Sequence, residues 1–155
     1  MRALLQRVSQ AAVSIAGEAT RSIDAGLVVL VGIGRNDRDE DAIYVVDKTV
    51  NLRIFDDGNG KFHYSALDKG AQLLVISQFT LYGATQKGRR PSFTEAARPE
   101  DAEVLFGRTL ELFADTGLRV ETGKFQAHMS VEIHNDGPVT VSLDSEQHTN
   151  LSRRI

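Results

Sequence analysis

The chain has 155 residues, a net charge of −3 and no cysteine. That length suggests one domain, and the lack of cysteine excludes a disulfide framework, a thiolate nucleophile and a cysteine metal site. The negative charge argues against a broad electrostatic grip on nucleic acid and leaves two local basic clusters, Lys87 to Pro91 and Ser152 to Ile155, the latter read as a solvated tail.

Gln6 and Arg7 break the apolar start of the chain, so no signal peptide is read there. Strand signals open it at 3–8 and 11–18, where Val13 and Ile15 alternate with polar residues. "GLVVLVGIG" (26–34) reads as a strand buried on both faces. Its apolar run, Leu27 to Ile33, is far too short to span a membrane, and the expectation is a soluble cytoplasmic protein with no membrane partner. "NDRDED" (36–41) suits the positive end of a helix dipole, and Ile43, Val46 and Val50 keep helical spacing, so a helix is expected at roughly 38–51. "LRIFDDGNGKFHYS" predicts a strand, a turn at Asp57-Gly58-Asn59-Gly60 and a short second strand.

"AQLLVISQFTLYG" (71–83) reads as a central strand running into something unusual, followed by a polar loop at 84–97. Pro99 opens a helix to about residue 116, with Ala102, Leu105, Phe106, Leu110 and Phe113 on its apolar face and Gly117 as its stop. Residues 118–125 return as strand or loop, and paired segments at 128–134 and 139–144 close the domain. About seven strands with two main helices between them predict an α/β class, a compact sheet-rich layered domain of mixed strands. Residues 1–144 form the single catalytic domain of this reading, and 145–155 a mobile tail.

The interruption of "SVEIHNDGPVTVSLDS" (130–145) admits two readings. Asn135-Asp136-Gly137-Pro138 is the composition of a hairpin turn. The hairpin is the favoured reading from these residues; the alternative is a rigid backbone device that aims a carbonyl into a pocket.

The usual catalytic sets are missing. The histidines are His63, His128, His134 and His148. His128 and His134 on one strand would stand roughly 20 Å apart, too far for one metal, and are read as surface or structural residues. No HExxH, P-loop or GxSxG pattern occurs, and no metal or cofactor is implied. "GIGRNDRDEDA" follows an apolar strand like a nucleotide-binding turn, but it lacks the full glycine pattern and its aspartates would repel phosphate. Ser77, Gln78 and Thr80 put three hydrogen-bonding side chains at the end of the central strand, where α/β folds place ligands.

"SQFTLYG" (77–83) followed by "NDGPVT" (135–140), with "QRV" at 6–8, resembles the D-aminoacyl-tRNA deacylases. "RIFDDGNGK" (53–61), "RPSF" (90–93) and "ETGKF" (121–125) stand at matching places, so the resemblance reaches about residue 144. The tail is longer than that family's core requires.

The resemblance implies the deacylase fold and hydrolysis of the ester between a D-amino acid, or mischarged glycine, and the 3′-terminal adenosine of tRNA. It implies a homodimer with the site at the subunit interface. Gly137-Pro138 then looks like the family's Gly-cisPro motif, entering the partner's pocket and excluding L-amino acids. Arg7 resembles the arginine that orients this motif, and Asn135 stands beside it on the substrate side. Ser77, Gln78, Phe79 and Thr80 resemble the pocket wall. Thr80 is either a nucleophile or, with Phe79, a source of backbone N–H groups for an oxyanion while water attacks with help from the tRNA 2′-hydroxyl; the lack of a base in either motif favours the second. Lys87, Arg89 and Arg90 are expected to meet tRNA phosphates. Two competitors are a non-catalytic RNA- or DNA-binding module on the same fold and a hydrolase of some other small ester or amide. The acidic charge and an expected lack of exposed aromatic platforms weigh against the module.

Overall fold

The computed structural model describes residues 1–147. The two strands expected at the start are one, β1 (Arg2–Ser14). Its odd residues Ala3 and Leu5 face one core, and beyond a register shift at Ser9 the odd residues Ala11 and Val13 join Val8 in the other. The shift is a bulge, where an extra residue bends a strand without ending it. Before it β1 pairs antiparallel with β3 (Gly26–Gly32); after it, with β2 (Arg21–Ile23). At three residues, β2 is too short to show a period and was not expected.

β3 runs parallel to β6 (Gln72–Ser77), and β6 parallel to β7 (Val120–Thr122). Gly26 is required at the β3–β6 contact, because a Cβ there would stand 1.8 Å from the Gln72 carbonyl oxygen. β8 (Ser130–Asp144) lies antiparallel along the other edge of β1. The order β2-β1-β3-β6-β7, with β8 on β1, makes a mixed six-stranded sheet. It curls towards closure where Arg21 donates to Thr122 O at 2.7 Å and Arg119 to Ser22 O at 3.1 Å.

Both main helices form as expected, α1 (Asp39–Asn51) and, beyond the short α2 (Ala66–Lys69), α3 (Pro99–Ala114). They cover one sheet face, packing Val45, Val46, Phe106 and Phe113 on Leu5, Leu27, Val29, Leu73 and Val75. Val28, Leu74 and Ile76 face the other way, against Val8, Val13 and Ile23 with Met129 and Val131 beside them. Burial of β3 and β6 on both faces accounts for their unbroken apolar runs. The expected hairpin is β4 (Phe55–Asp56) with β5 (Phe62–Tyr64), a separate two-stranded sheet. Next comes an unforeseen single turn of helix, α2 (Ala66–Lys69), capped by Ser65 and stopped by left-handed Gly70. Among the described residues no helix is long and apolar enough to cross a membrane. Of the expected tail, Ser145 is buried with its N–H on Met1 O at 2.9 Å, and residues 148–155, with His148 and the second basic cluster, lie outside the described residues.

Candidate functional site

The strand expected within 71–83 ends at Ser77. Its partner β3 runs out at Gly32, and the Gln78 N–H takes the last ladder acceptor, Val31 O, at 2.7 Å. The chain then tightens into a 3₁₀ turn, Phe79–Tyr82. The opening N–H groups of such a turn have no acceptor within it. Phe79 and Thr80 therefore present two backbone donors at an exposed position. The Gln78 side-chain amide donates to Thr80 Oγ1. An amide cannot take a proton at neutral pH, so this contact orients the hydroxyl without activating it as a nucleophile.

Ser77, Gln78 and Phe79 form one wall of a cavity of about 620 Å³. Phe93, Ala97 and Pro99 face them, and the segment Phe125 to Met129 forms a third side. Phe79 is 58% exposed, contrary to the expected lack of aromatic platforms, and meets Phe93 edge-on at 5.0 Å. The rim is therefore aromatic and the floor aliphatic, with Ile76, Val31 and Val131.

Phe125, Gln126 and Met129 were not singled out from the sequence as wall residues. One signal was available: Gly123 lies in "ETGKF", and a Cβ there would stand 2.3 Å from the Met129 sulfur, so the glycine lets this loop close onto the sheet. Gln126 holds a left-handed φ of 59°, which only short polar residues and glycine adopt at low cost. His128 was expected on a strand with His134. It instead precedes β8 and lines the cavity, while His134 lies on β8 with its Nε2 3.3 Å from Gln10 Nε2.

The hairpin reading of "NDGP" fails, because both flanks of β8 pair with the same strand. Gln6 faces Thr140 and Val8 faces Asn135, so Asp136 to Val139 together stand opposite Arg7 alone. The surplus residues bulge outward, and Asp136, Gly137 and Pro138 are exposed. The Gly137–Pro138 peptide bond is cis, and Gly137 has a φ of 118°. A Cβ on Gly137 would approach Val139 Cγ2 to 2.9 Å and Arg7 Nη2 to 3.0 Å.

Arg7, only 7% exposed, backs the bulge. Its Nη1 donates to Ile54 O at 2.8 Å and its Nε to Asp136 O at 3.3 Å. Its charge is met by Asp136 at 3.2 Å and Asp56 at 3.6 Å. The Asn135 amide closes the base of the bulge, donating to Arg7 O at 2.9 Å and Val139 O at 3.0 Å. This is the short side chain needed where four residues must return to the ladder opposite one.

Within one chain these two constellations stay apart. None of Arg7, Asn135, Gly137 and Pro138 lines the cavity beside Ser77, Gln78 and Phe79. Lys87, Arg89 and Arg90 lie on an exposed loop pinched shut where Ala84 and Ser92 exchange hydrogen bonds of 2.8 and 2.9 Å, which leads directly into Phe93 at the rim. Among the described residues these three cations have no ion-pair partner. No group of three or more His, Asp or Glu among them is placed to hold a metal ion.

Residues 4–144 match the family model described as D-Tyr-tRNA(Tyr) deacylase. A D-aminoacyl-tRNA deacylase of Halothermothrix orenii is 53% identical over 147 residues, covering 95% of this chain and 99% of that one. One of Bacillus velezensis is 49% identical, covering 95% of this chain and all of its own length. Among solved structures, a c-Myc DNA unwinding element binding protein superposes with a TM-score of 0.86 at 40% identity, over 93% of this chain and 98% of that one. A probable eukaryotic D-amino acid tRNA deacylase shares the fold, with a TM-score of 0.81 at 18% identity over 92% and 98%. Agreement along nearly the whole chain, at half the residues identical, places this protein in the D-Tyr-tRNA(Tyr) deacylase family.

Proposed function

We propose that the protein is a cytoplasmic D-aminoacyl-tRNA deacylase. It hydrolyses the ester between a D-amino acid, or mischarged glycine, and the terminal adenosine of tRNA, and works as a homodimer. The observation that carries this reading is the separation of two half-sites on one chain. A turn that opens on the N–H groups of Phe79 and Thr80 starts at the cavity wall, and a braced glycine-proline backbone projects from another part of the sheet. A second copy that inserts its bulge into the cavity completes both.

In that assembly the aromatic rim at Phe79 and Phe93, with Phe125 and Met129, holds the adenine, for which stacking suits any tRNA. Ser77 and Gln78 orient the ribose and the attacking water. The N–H groups of Phe79 and Thr80 meet the oxyanion that develops as water adds to the ester carbonyl. The adjacent 2′-hydroxyl assists, and the intermediate collapses to release the amino acid and the tRNA 3′-hydroxyl. The Gly137-Pro138 backbone of the partner copy fills the space an L side chain requires, a discrimination by exclusion that glycine escapes. Lys87, Arg89 and Arg90 hold acceptor-stem phosphates without reading sequence.

The test is deacylation of D-Tyr-tRNA, L-Tyr-tRNA and Gly-tRNA. Loss of the D-ester and glycine with the L-ester preserved is expected; equal loss of both tyrosyl esters overturns exclusion by backbone. A second reading, a nucleic-acid-binding module without turnover, is favoured by the name of the DNA unwinding element binding protein at 40% identity. It predicts tRNA or DNA binding with every ester intact.

A further inference from the structure

The glycine turn that failed as a phosphate site has another use. Gly32 ends β3 and Gly34 follows just beyond it, both against the 3₁₀ turn. A Cβ on Gly32 would stand 3.0 Å from both the Gln78 carbonyl oxygen and Leu81 Cβ, and one on Gly34 would stand 2.7 Å from the Tyr82 hydroxyl. The turn is thus seated on bare backbone.

Two side chains hold it down. Arg2 donates from Nη1 to Leu81 O at 3.1 Å and from Nε to Asp144 at 3.2 Å, and its guanidinium carbon lies 4.5 Å from the Tyr82 ring centroid. Tyr82, 5% exposed, donates its hydroxyl to Asp37 Oδ2 at 3.3 Å. Burial, then the Asp37 charge, pushes the phenol far above its ordinary value, so it remains a donor at any working pH. Asp37 is fixed in turn by the Gly34 N–H and the Met1 α-amino group, each at 2.6 Å.

We propose that Arg2, Tyr82 and Asp37 are positioning residues for ester hydrolysis, locking the turn from behind so that the Phe79 and Thr80 N–H groups keep one aim. None of the three lines the cavity beside Ser77, Gln78 and Phe79. The inference rests on the oxyanion reading of the turn. Backbone donors stabilise a transition state only when already oriented, and a misplacement of about 1 Å costs on the order of a hundredfold.

The experiment is steady-state and single-turnover deacylation of D-Tyr-tRNA by the full chain carrying Arg2→Met, Arg2→Lys, Tyr82→Phe or Phe79→Pro, with the folded fraction of each read by circular dichroism. For folded Arg2→Met, kcat is expected to fall about tenfold or more with KM changed less than about twofold. Arg2→Lys should recover most of that loss, since an ammonium still reaches Leu81 O. Tyr82→Phe removes one oxygen, keeps the ring under Arg2 and should lower kcat severalfold; it decides the matter alone if Arg2→Met does not fold. Wild-type kcat in folded Arg2→Met or Tyr82→Phe, or a loss that only follows the folded fraction, overturns the proposal. Phe79→Pro deletes one N–H of the turn. If it stays active, the oxyanion reading itself fails and the positioning role falls with it. If it is inactive while the clamp variants are normal, only the clamp fails.

Discussion

At the scale of single residues, backbone conformation and side-chain role can be separated at three positions. Gln126 is the only non-glycine residue with positive φ among those described, and it sits in the cavity wall. A left-handed non-glycine residue costs about 1 kcal/mol, so Gln126→Gly should raise the urea midpoint while raising KM for tRNA. At Gly137 the logic inverts, because φ is 118° and the space is filled by Val139 and Arg7. Gly137→Ala should lower stability by more than about 1 kcal/mol in denaturant titration, and the ratio of D- to L-ester hydrolysis should collapse. Thr80 separates the two chemical readings. If only its N–H acts, Thr80→Ala keeps kcat within about tenfold of wild type, whereas loss of a nucleophile costs on the order of 10⁴-fold or more.

At the scale of elements, a strand interrupted by proline survives because one partner holds both flanks. β1 pairs with β8 from Arg2↔Asp144 to Ser14↔Ser130, and the ladder on either side keeps the surplus residues of the bulge from unravelling. The single-turn helix α2 is held by its ends. Ser65 Oγ accepts from the Asp68 N–H at 3.1 Å while the Asp68 carboxylate accepts from the Ser65 N–H at 2.8 Å. That backbone bond, followed by the Ser65 hydroxyl, holds the Asp68 carboxyl below the ordinary range. A lowered folded value means that the stabilisation is complete at neutral pH and is lost as pH falls through the lowered value. Ser65→Ala should therefore lower the urea midpoint at pH 7, with the gap to wild type narrowing in acid.

At the scale of the whole molecule, charge is the quantity to follow. The chain carries a net −3, yet the loop leading to the cavity rim presents Lys87, Arg89 and Arg90 with no ion-pair partner among the described residues. A local cluster on an acidic body suits a polyanion held at one end and discourages binding along its length. Replacing the three by glutamine should weaken tRNA binding alike for every tRNA. It should flatten the slope of log K against log salt by roughly 0.7 to 0.9 per phosphate contact removed, with kcat at saturation retained. Sedimentation at micromolar concentration checks the second copy the half-sites call for; a monomer with full activity would sink the shared-site reading.

Much of the fold was legible in local pattern. The β3 run, the α1 spacing, Pro99 opening α3 and Gly117 after it read correctly because each depends on neighbours a few residues away. α2 was missed although "SALDKG" carries its capping residues, since four residues show no helical period. That the strand in 71–83 runs into something else was legible, but the 3₁₀ turn that follows Ser77 was not, because the end of β6 is set by where β3 stops, some 45 residues earlier in the chain. The residues of the two motifs were legible by resemblance, but His128, Gln126 and Met129 joined the cavity wall only through packing onto β6. The sequence by itself determined which backbone could turn, cap or approach closely, because those properties belong to single residue types. Tertiary structure alone decided that Asp136 to Val139 bulge without reversing the chain, and that Gly32 and Gly34 seat a turn. Both outcomes depend on which distant strand or turn arrives opposite them, which no local pattern encodes.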